Sequence, residues 1–170
     1  MSSPENGNVK ALVIYYSYDD STKIIAEEIS DTVDGDILRL VPVEGQSASR
    51  VRYIWDDRSV DMDPRPALEN FDLSVQDYNL IFLGTPVWAM SYAPPLETFL
   101  ASVDIREKNI ALFCTHEGLR GIVFEELIKR LSDNKILGTV EFYDPVGSGV
   151  EYAAKAAANW ARKVLESARQ

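Results

Sequence analysis

The feature of this sequence that most constrains its fold is a regular alternation of short apolar segments with longer amphipathic ones. The short segments are rich in β-branched residues and almost continuously apolar, which is typical of strands buried on both faces of a parallel sheet. The predicted strands are 9–16, 36–41, 80–83, 110–114 and 136–143, and the predicted helices are 22–33, 96–103, 123–131 and 152–168. These units predict an α/β fold, a doubly wound sandwich of three layers with its functional crevice at the carboxyl ends of the strands.

The length of 170 residues fits one domain. Residues 1–8 are polar and predict a flexible tail, and residues 9–170 predict a single domain. The alternation is interrupted at about 42–77 by an insertion that carries Tyr53 and Trp55. An insertion of this length is usually functional or mobile. Two interpretations stay open: a surface excursion fastened to the body by its aromatic residues, or a lid over a ligand with Tyr53 or Trp55 as a stacking face.

Charge and composition exclude several classes of function. The chain has 17 Lys and Arg against 27 Asp and Glu, a net charge of −10, so nucleic acid and anionic membranes would repel it. One cysteine rules out an internal disulfide and a cysteine-held cluster, and one histidine argues against a histidine-rich metal site. No apolar run reaches the roughly 18–20 residues of a membrane span, and the polar start has no signal-peptide pattern. We therefore expect a cytoplasmic protein without a metal.

Hydroxyl side chains follow the first predicted strand and lead into the first helix. Ser17, Ser21 and Thr22 lie in this segment. The N-terminus of a helix presents free N–H groups and the positive end of the helix dipole, so such a segment can bind an anion such as a phosphate. The alternative is that Ser21 caps the helix and no ligand is involved.

An apolar loop is predicted at 84–95, after the third strand, and it carries Trp88, Met90 and Tyr92. Exposed aromatic side chains at a strand end are unfavourable unless something covers them. A planar apolar ligand would do so, and we favour this interpretation over the alternative, contact with the neighbouring insertion.

The loop after the fourth predicted strand contains Gly118 and Gly121, whose spacing permits a tight turn with backbone N–H groups that face a ligand. His116 in the same loop has three open interpretations: a hydrogen-bond donor, a pH-sensitive group or a surface residue. Cys114 follows an apolar strand, so we expect it to be buried and inert.

Taken together, the three loops resemble those of the flavodoxin family over nearly the whole chain. The family's first motif is Ser/Thr-x-Thr-Gly-x-Thr, and residues 17–22 read Ser-Tyr-Asp-Asp-Ser-Thr at that place, with Asp19 and Asp20 where the family has Thr and Gly. Residues 84–88 read Gly-Thr-Pro-Val-Trp, which is similar to one subgroup of the family, and residues 114–121 are similar to its third loop.

The resemblance implies a five-stranded parallel sheet of order 2-1-3-4-5 with FMN at its carboxyl edge. By the same resemblance, Ser17, Ser21 and Thr22 would hold the phosphate, with Asp19 and Asp20 beside it; Pro86, Val87, Trp88, Ala89 and Met90 would flank the isoalloxazine; and Thr115, His116, Gly118 and Gly121 would border its other side.

Two hypotheses about function remain. The first is an FMN-dependent redox protein, monomeric or homodimeric. It would be either an electron carrier whose partner has a basic patch, or a small oxidoreductase that uses NAD(P)H or a quinone. The second is a flavodoxin-fold protein that has lost FMN and binds another ligand or a protein. Trp88, Met90 and the loop with Gly118 and Gly121 favour the first hypothesis, and Asp19 and Asp20 favour the second.

Overall fold

The computed structural model describes residues 8–45, 50–55 and 58–170, with Trp55 described by its backbone alone. The predicted tail therefore lies almost entirely outside the described residues. In chain order the elements are β1 (Ala11–Tyr15), α1 (Ser21–Val33), β2 (Asp36–Arg39), β3 (Val51–Trp55), β4 (Arg58–Met62), a 3-10 helix (Val75–Asp77), β5 (Leu80–Trp88), β6 (Ser91–Tyr92), α2 (Pro94–Ser102), β7 (Asn109–His116), α3 (Val123–Arg130), β8 (Lys135–Tyr143) and α4 (Val150–Ala168).

Five parallel strands form the central sheet in the order β2-β1-β5-β7-β8. Short β6 adds to β5 as an antiparallel strand, and β3 and β4 form a separate antiparallel hairpin. With these three strands set aside, the order is the predicted 2-1-3-4-5, so the predicted fold class is confirmed. The chain leaves β1 toward one edge of the sheet and returns on its other side as β5. The carboxyl ends of β1 and β5 therefore flank the point where ligands bind in such sheets.

Both faces of the sheet are buried, which explains the continuous apolar runs. Along β1, Leu12 and Ile14 pack into one core cluster and Val13 into the other. The first cluster is shared with α2 and α3, and the second with α1 and α4. Because side chains alternate between the two faces of a strand, a strand between two helical layers needs apolar residues at every position.

Strand β5 differs from the prediction, because it continues through residues that were predicted to be a loop. It runs to Trp88 and stays paired with β7 as far as Pro86. Glycine and proline usually interrupt a central strand, but here each has a local reason. At Gly84 the ring of Phe113 on β7 takes the space that a side chain would fill. The pairing of β1 with β5 ends at Gly84, so Pro86 removes no hydrogen bond from that ladder.

The predicted loop shrinks to a two-residue turn between β5 and β6. Ala89 and Met90 form it, with φ angles of 49° and 67°. Positive φ at both central residues is the type I′ pattern, for which Asn-Gly is the favoured sequence. A side chain in this left-handed region costs roughly 1–2 kcal/mol per residue, so the turn is strained.

Relieving the strain should stabilise the protein. We expect Ala89→Asn combined with Met90→Gly to raise the free energy of unfolding by about 1–2 kcal/mol. Urea denaturation followed by circular dichroism would measure it. Ser91→Gly, a glycine placed one residue later in β6, is the control and should lower stability. Lower stability of the double variant would show that contacts of Met90 outweigh the strain.

The described part of the insertion has its two ends tied together. Val43 donates its backbone N–H to the carbonyl of Ala67, and Glu69 donates to the carbonyl of Val41, both at 2.8 Å. Between these ends lies the hairpin β3–β4, from which Tyr53, Val60 and Met62 pack against the first core cluster. The hairpin and these ties account for much of the predicted insertion at 42–77, of which residues 46–49 and 56–57 lie outside the described part.

Candidate functional site

A narrow cleft opens to solvent at the carboxyl edge of the sheet. Three segments predicted from the sequence meet there, namely the loop after β1, the end of β5 and the end of β7, and Pro145 joins them from the loop after β8. The residues that line it are Tyr18, Asp19, Ser21, Pro86, Val87, Trp88, Thr115, His116, Glu117 and Pro145. Seven of these were predicted from the sequence, whereas Tyr18, Glu117 and Pro145 were not. The predicted residues Ser17, Asp20, Thr22, Ala89, Met90, Gly118 and Gly121 do not line this cleft.

The hydroxyl residues of the first segment divide into two groups. Ser17 accepts a hydrogen bond from the backbone N–H of Lys23 at 3.2 Å, and Thr22 is hydrogen-bonded to Thr115 at 2.7 Å between their side-chain oxygens. Ser17, Thr22 and Thr115 are all buried. These hydroxyls therefore hold the segment and join it to β7, and Ser21 alone of the three predicted phosphate ligands reaches the cleft.

The start of α1 has an unusual backbone conformation. Asp20 is its N-cap residue, with φ 68° and ψ −8°, and its carbonyl accepts the first helical hydrogen bond, from the N–H of Ile24 at 3.0 Å. Left-handed backbone is ordinary for glycine and tolerated by aspartate. Asp20 thus takes the conformation for which the resembling motif has a glycine.

A carboxylate lies at the same helix start. Asp19 accepts a hydrogen bond from the backbone N–H of Ser21 at 3.2 Å. Its other oxygen accepts one from Arg58 at 3.1 Å, and Arg58 also pairs with Glu117. The hydrogen bond that Arg58 donates to Glu117, followed by the charges of Glu117 and Asp19, raises the pKa of Arg58. No spacing in the sequence connects position 58 with position 19, because the fold brings the hairpin to the cleft.

Trp88 forms the aromatic wall of the cleft and is only 3% exposed. Its ring lies 5.6 Å from that of Tyr16, 5.8 Å from Tyr18 and 5.3 Å from Tyr53, measured between centroids. Tyr53, which belongs to the insertion, thus covers Trp88. Contact with the insertion was the alternative to a ligand in the sequence analysis of this loop. It fastens the hairpin next to the cleft. The side chain of Trp55, the other predicted lid residue, lies outside the described part.

His116 lines the cleft opposite the hydroxyl segment. Its Nε2 is hydrogen-bonded to Glu141 at 2.8 Å, and its ring packs edge-on against Tyr143. Its Nδ1 is buried and has no hydrogen-bond partner in the part of the chain that the structure describes. An unsatisfied buried polar atom costs roughly 1–3 kcal/mol, so this nitrogen is a candidate contact for a ligand.

Cys114 is buried, as predicted. Burial raises the pKa of its thiol to about 12, and the group stays protonated at neutral pH. Because the thiolate is the reactive form of cysteine, no nucleophile of this kind is present at the end of β7.

The arrangement of segments matches a known family. The family model described as flavodoxin matches residues 10–136. The chain belongs to the flavodoxin family. The resemblance predicted from the three loops is thereby confirmed.

Solved structures agree with this membership at the level of the fold. A protein from Bacteroides eggerthii DSM 20697 has a TM-score of 0.68 and 21% identity, covering 93% of this chain and 99% of that one. A flavoprotein from Lactobacillus acidophilus NCFM, in complex with FMN, has a TM-score of 0.62 and 21% identity, covering 82% of this chain and 97% of that one. A flavodoxin from the domain Archaea has a TM-score of 0.57 and 14% identity, covering 92% of this chain and 99% of that one. A comparison with curated protein sequences gave no match.

Within the described residues, no three His, Cys, Asp or Glu side chains come together as a metal site. None of the described helices has the length and apolar character needed to cross a membrane.

The third segment approaches the β5–β6 turn closely at Gly121. Its φ is 60°, and a side-chain Cβ there would overlap the backbone carbonyl of Met90. The next residue, Ile122, donates its N–H to that same carbonyl at 2.9 Å. Gly118 has open space around it instead. The two predicted glycines therefore differ: Gly121 fixes one segment against another, and Gly118 does not.

We expect Gly121→Ala to lower the free energy of unfolding by about 2–4 kcal/mol, because overlap and left-handed strain act together. Gly118→Ala is the matched control and should stay within about 0.5 kcal/mol of the wild type. Thermal and urea denaturation would measure both. Equal stability of the two variants would contradict the close approach at Gly121.

Proposed function

We propose that this chain binds FMN in the cleft and serves as a redox protein. The observation that carries the proposal is the meeting of an aromatic wall, at Trp88, with the N-terminus of α1 in one cleft at the β1–β5 switch point. A planar ring with an anionic tail needs these two features together. Membership of the flavodoxin family, and the FMN complex of the Lactobacillus acidophilus flavoprotein, support the proposal.

The donor set of the cleft fits such a ligand. Ser21 and the start of α1 supply N–H groups, Arg58 supplies a positive charge near them, and the buried Nδ1 of His116 lacks a partner within the described residues. When bound, FMN supplies transfer of one or two electrons. The chain's own residues bind and orient it: Trp88 and Tyr53 exclude water, and the Thr22–Thr115 hydrogen bond keeps two segments at a fixed separation.

Within this function we propose an electron carrier. The net charge of −10 supports it, because an acidic surface speeds and orients encounter with a partner protein that has a basic patch. An oxidoreductase that uses NAD(P)H or a quinone is the alternative within the same class. Intrinsic oxidation of NAD(P)H by the FMN-loaded protein would favour the enzyme, whereas reduction only through a second protein would favour the carrier.

A second candidate function has its own supporting observation. The carboxylate of Asp19 lies at the start of α1, and Tyr53 covers Trp88. A chain that had lost FMN and used the fold as a ligand- or protein-binding module would also have its cleft filled by its own side chains.

Two measurements separate these candidates. The first is a visible absorption spectrum of the freshly purified protein, and the second is an FMN titration followed by quenching of flavin fluorescence. Flavin absorption, or saturable binding at about micromolar FMN or below, would support the redox function. A colourless protein that does not quench FMN at any concentration would contradict it and favour the second candidate.

We expect Asp20→Gly to tighten FMN binding. The substitution removes one negative charge near the proposed phosphate position, worth about 1 kcal/mol at 4 Å in water, or about fivefold in affinity. Glycine also adopts the φ of 68° without strain. The matched control is Asp34→Gly, which removes the same charge at φ 51° from the other end of α1. Both variants should gain stability, but only Asp20→Gly should gain FMN affinity.

A further inference from the structure

Asp19 holds the place at the start of α1 that an anionic ligand would take. One carboxylate oxygen accepts the N–H of Ser21, and the other accepts a hydrogen bond from Arg58. A phosphate group presents its oxygens to the same two kinds of donor, a backbone N–H at a helix N-terminus and a guanidinium. Asp19 and a bound phosphate would therefore compete for one pair of donors.

Arg58 reaches this place from outside the sheet. It lies on β4 of the hairpin and joins Asp19 of the first segment to Glu117 of the third. Asp19 and Glu117 both line the cleft, and their side chains are only 32% and 31% exposed. An arginine between two partly buried carboxylates is the positive charge that offsets them, and an arriving phosphate would be repelled by both acids without it.

We propose that Arg58 is the residue by which the chain selects a phosphorylated flavin over an unphosphorylated one. Asp19 holds Arg58 in the flavin-free chain, and the phosphate takes over the contact with Arg58 when FMN binds. The inference rests on the proposed function, because it assigns a role within the FMN site. It explains how an acidic segment can accept a phosphate: the cation that the phosphate needs is already there, bound to the acid that the phosphate displaces.

The inference predicts opposite effects for the two partners. Arg58→Gln removes the cation, and FMN affinity should fall by about 10- to 100-fold, the value of one charged hydrogen bond. Asp19→Asn removes the competing charge and keeps an oxygen for the N–H of Ser21, so FMN affinity should rise by about fivefold or more. Affinity for riboflavin, which has no phosphate, should change less than twofold in either variant.

The experiment is a titration of FMN and of riboflavin with the wild type and three variants, followed by flavin fluorescence. The third variant, Arg52→Gln, is the control. Arg52 lies on the same hairpin, but its partner at 3.0 Å is Asp61, which does not line the cleft, whereas the partners of Arg58, Asp19 and Glu117, do. It should leave both affinities unchanged. Exposed ion pairs contribute only about 0–1 kcal/mol, so the variants should remain folded, as circular dichroism would verify.

The outcomes separate this inference from the function on which it rests. If neither the wild type nor Asp19→Asn binds either flavin, the proposed function fails. If the wild type binds FMN and Arg58→Gln binds it equally well, or loses riboflavin to the same extent, the function stands and the role of Arg58 is wrong. If Asp19→Asn binds FMN and the wild type does not, the proposed function fails for the natural chain, and the inference that Asp19 releases Arg58 to a phosphate fails with it. If riboflavin binds too weakly to titrate, the FMN dissociation constants of the wild type and the three variants test the role of Arg58. Arg58→Gln should weaken FMN binding, and Asp19→Asn should tighten it.

Discussion

Burial of the central sheet on both faces is the constraint on which the rest of this structure depends. Helices α1 and α4 cover one face and α2 and α3 the other, which fixes the central strands β1, β5 and β7 between two apolar layers. The parallel strands then end at one edge, and the loops that follow them must meet there. Gly84 and Gly121 show how closely the parts pack, since a side chain at the first would overlap Phe113 and at the second would overlap the backbone of Met90.

Side chains of the chain itself pair with one another beside the cleft at this edge. Tyr53 lies against Trp88, and Arg58 joins the carboxylates of Asp19 and Glu117. Both Tyr53 and Arg58 come from the hairpin, which supplies an aromatic ring and a positive charge. These are the two kinds of interaction that a flavin ring and its phosphate would require. In the proposed FMN complex, the hairpin would therefore supply the positive charge that lets the acidic first segment accept a phosphate.

The strands and helices could be predicted because their signals are local. The apolar runs of β1 and β7 and the helical spacing of α1 each arise within one segment, and the loop motifs then identified the family. The end of β5 could not be predicted this way. Glycine and proline at 84 and 86 are breakers by local rules, and they are accommodated only because Phe113 lies opposite Gly84 and the β1 ladder stops there. The residues that accommodate Gly84 and Pro86 lie on other strands, so no pattern within β5 itself predicts where this strand ends.

The sequence by itself determined the layers of the fold, the strand order that its family implies, and the three segments that meet at the cleft. Hydrophobic periodicity and short motifs encode these features along the chain. The tertiary structure alone decided which side chains face the cleft. Ser17 and Thr22 form internal hydrogen bonds instead of facing it, and the fold brings Arg58 to Asp19, 39 residues away in the sequence. The physical reason is that ion pairs and ring contacts across the chain depend on how whole elements pack, which no local pattern records.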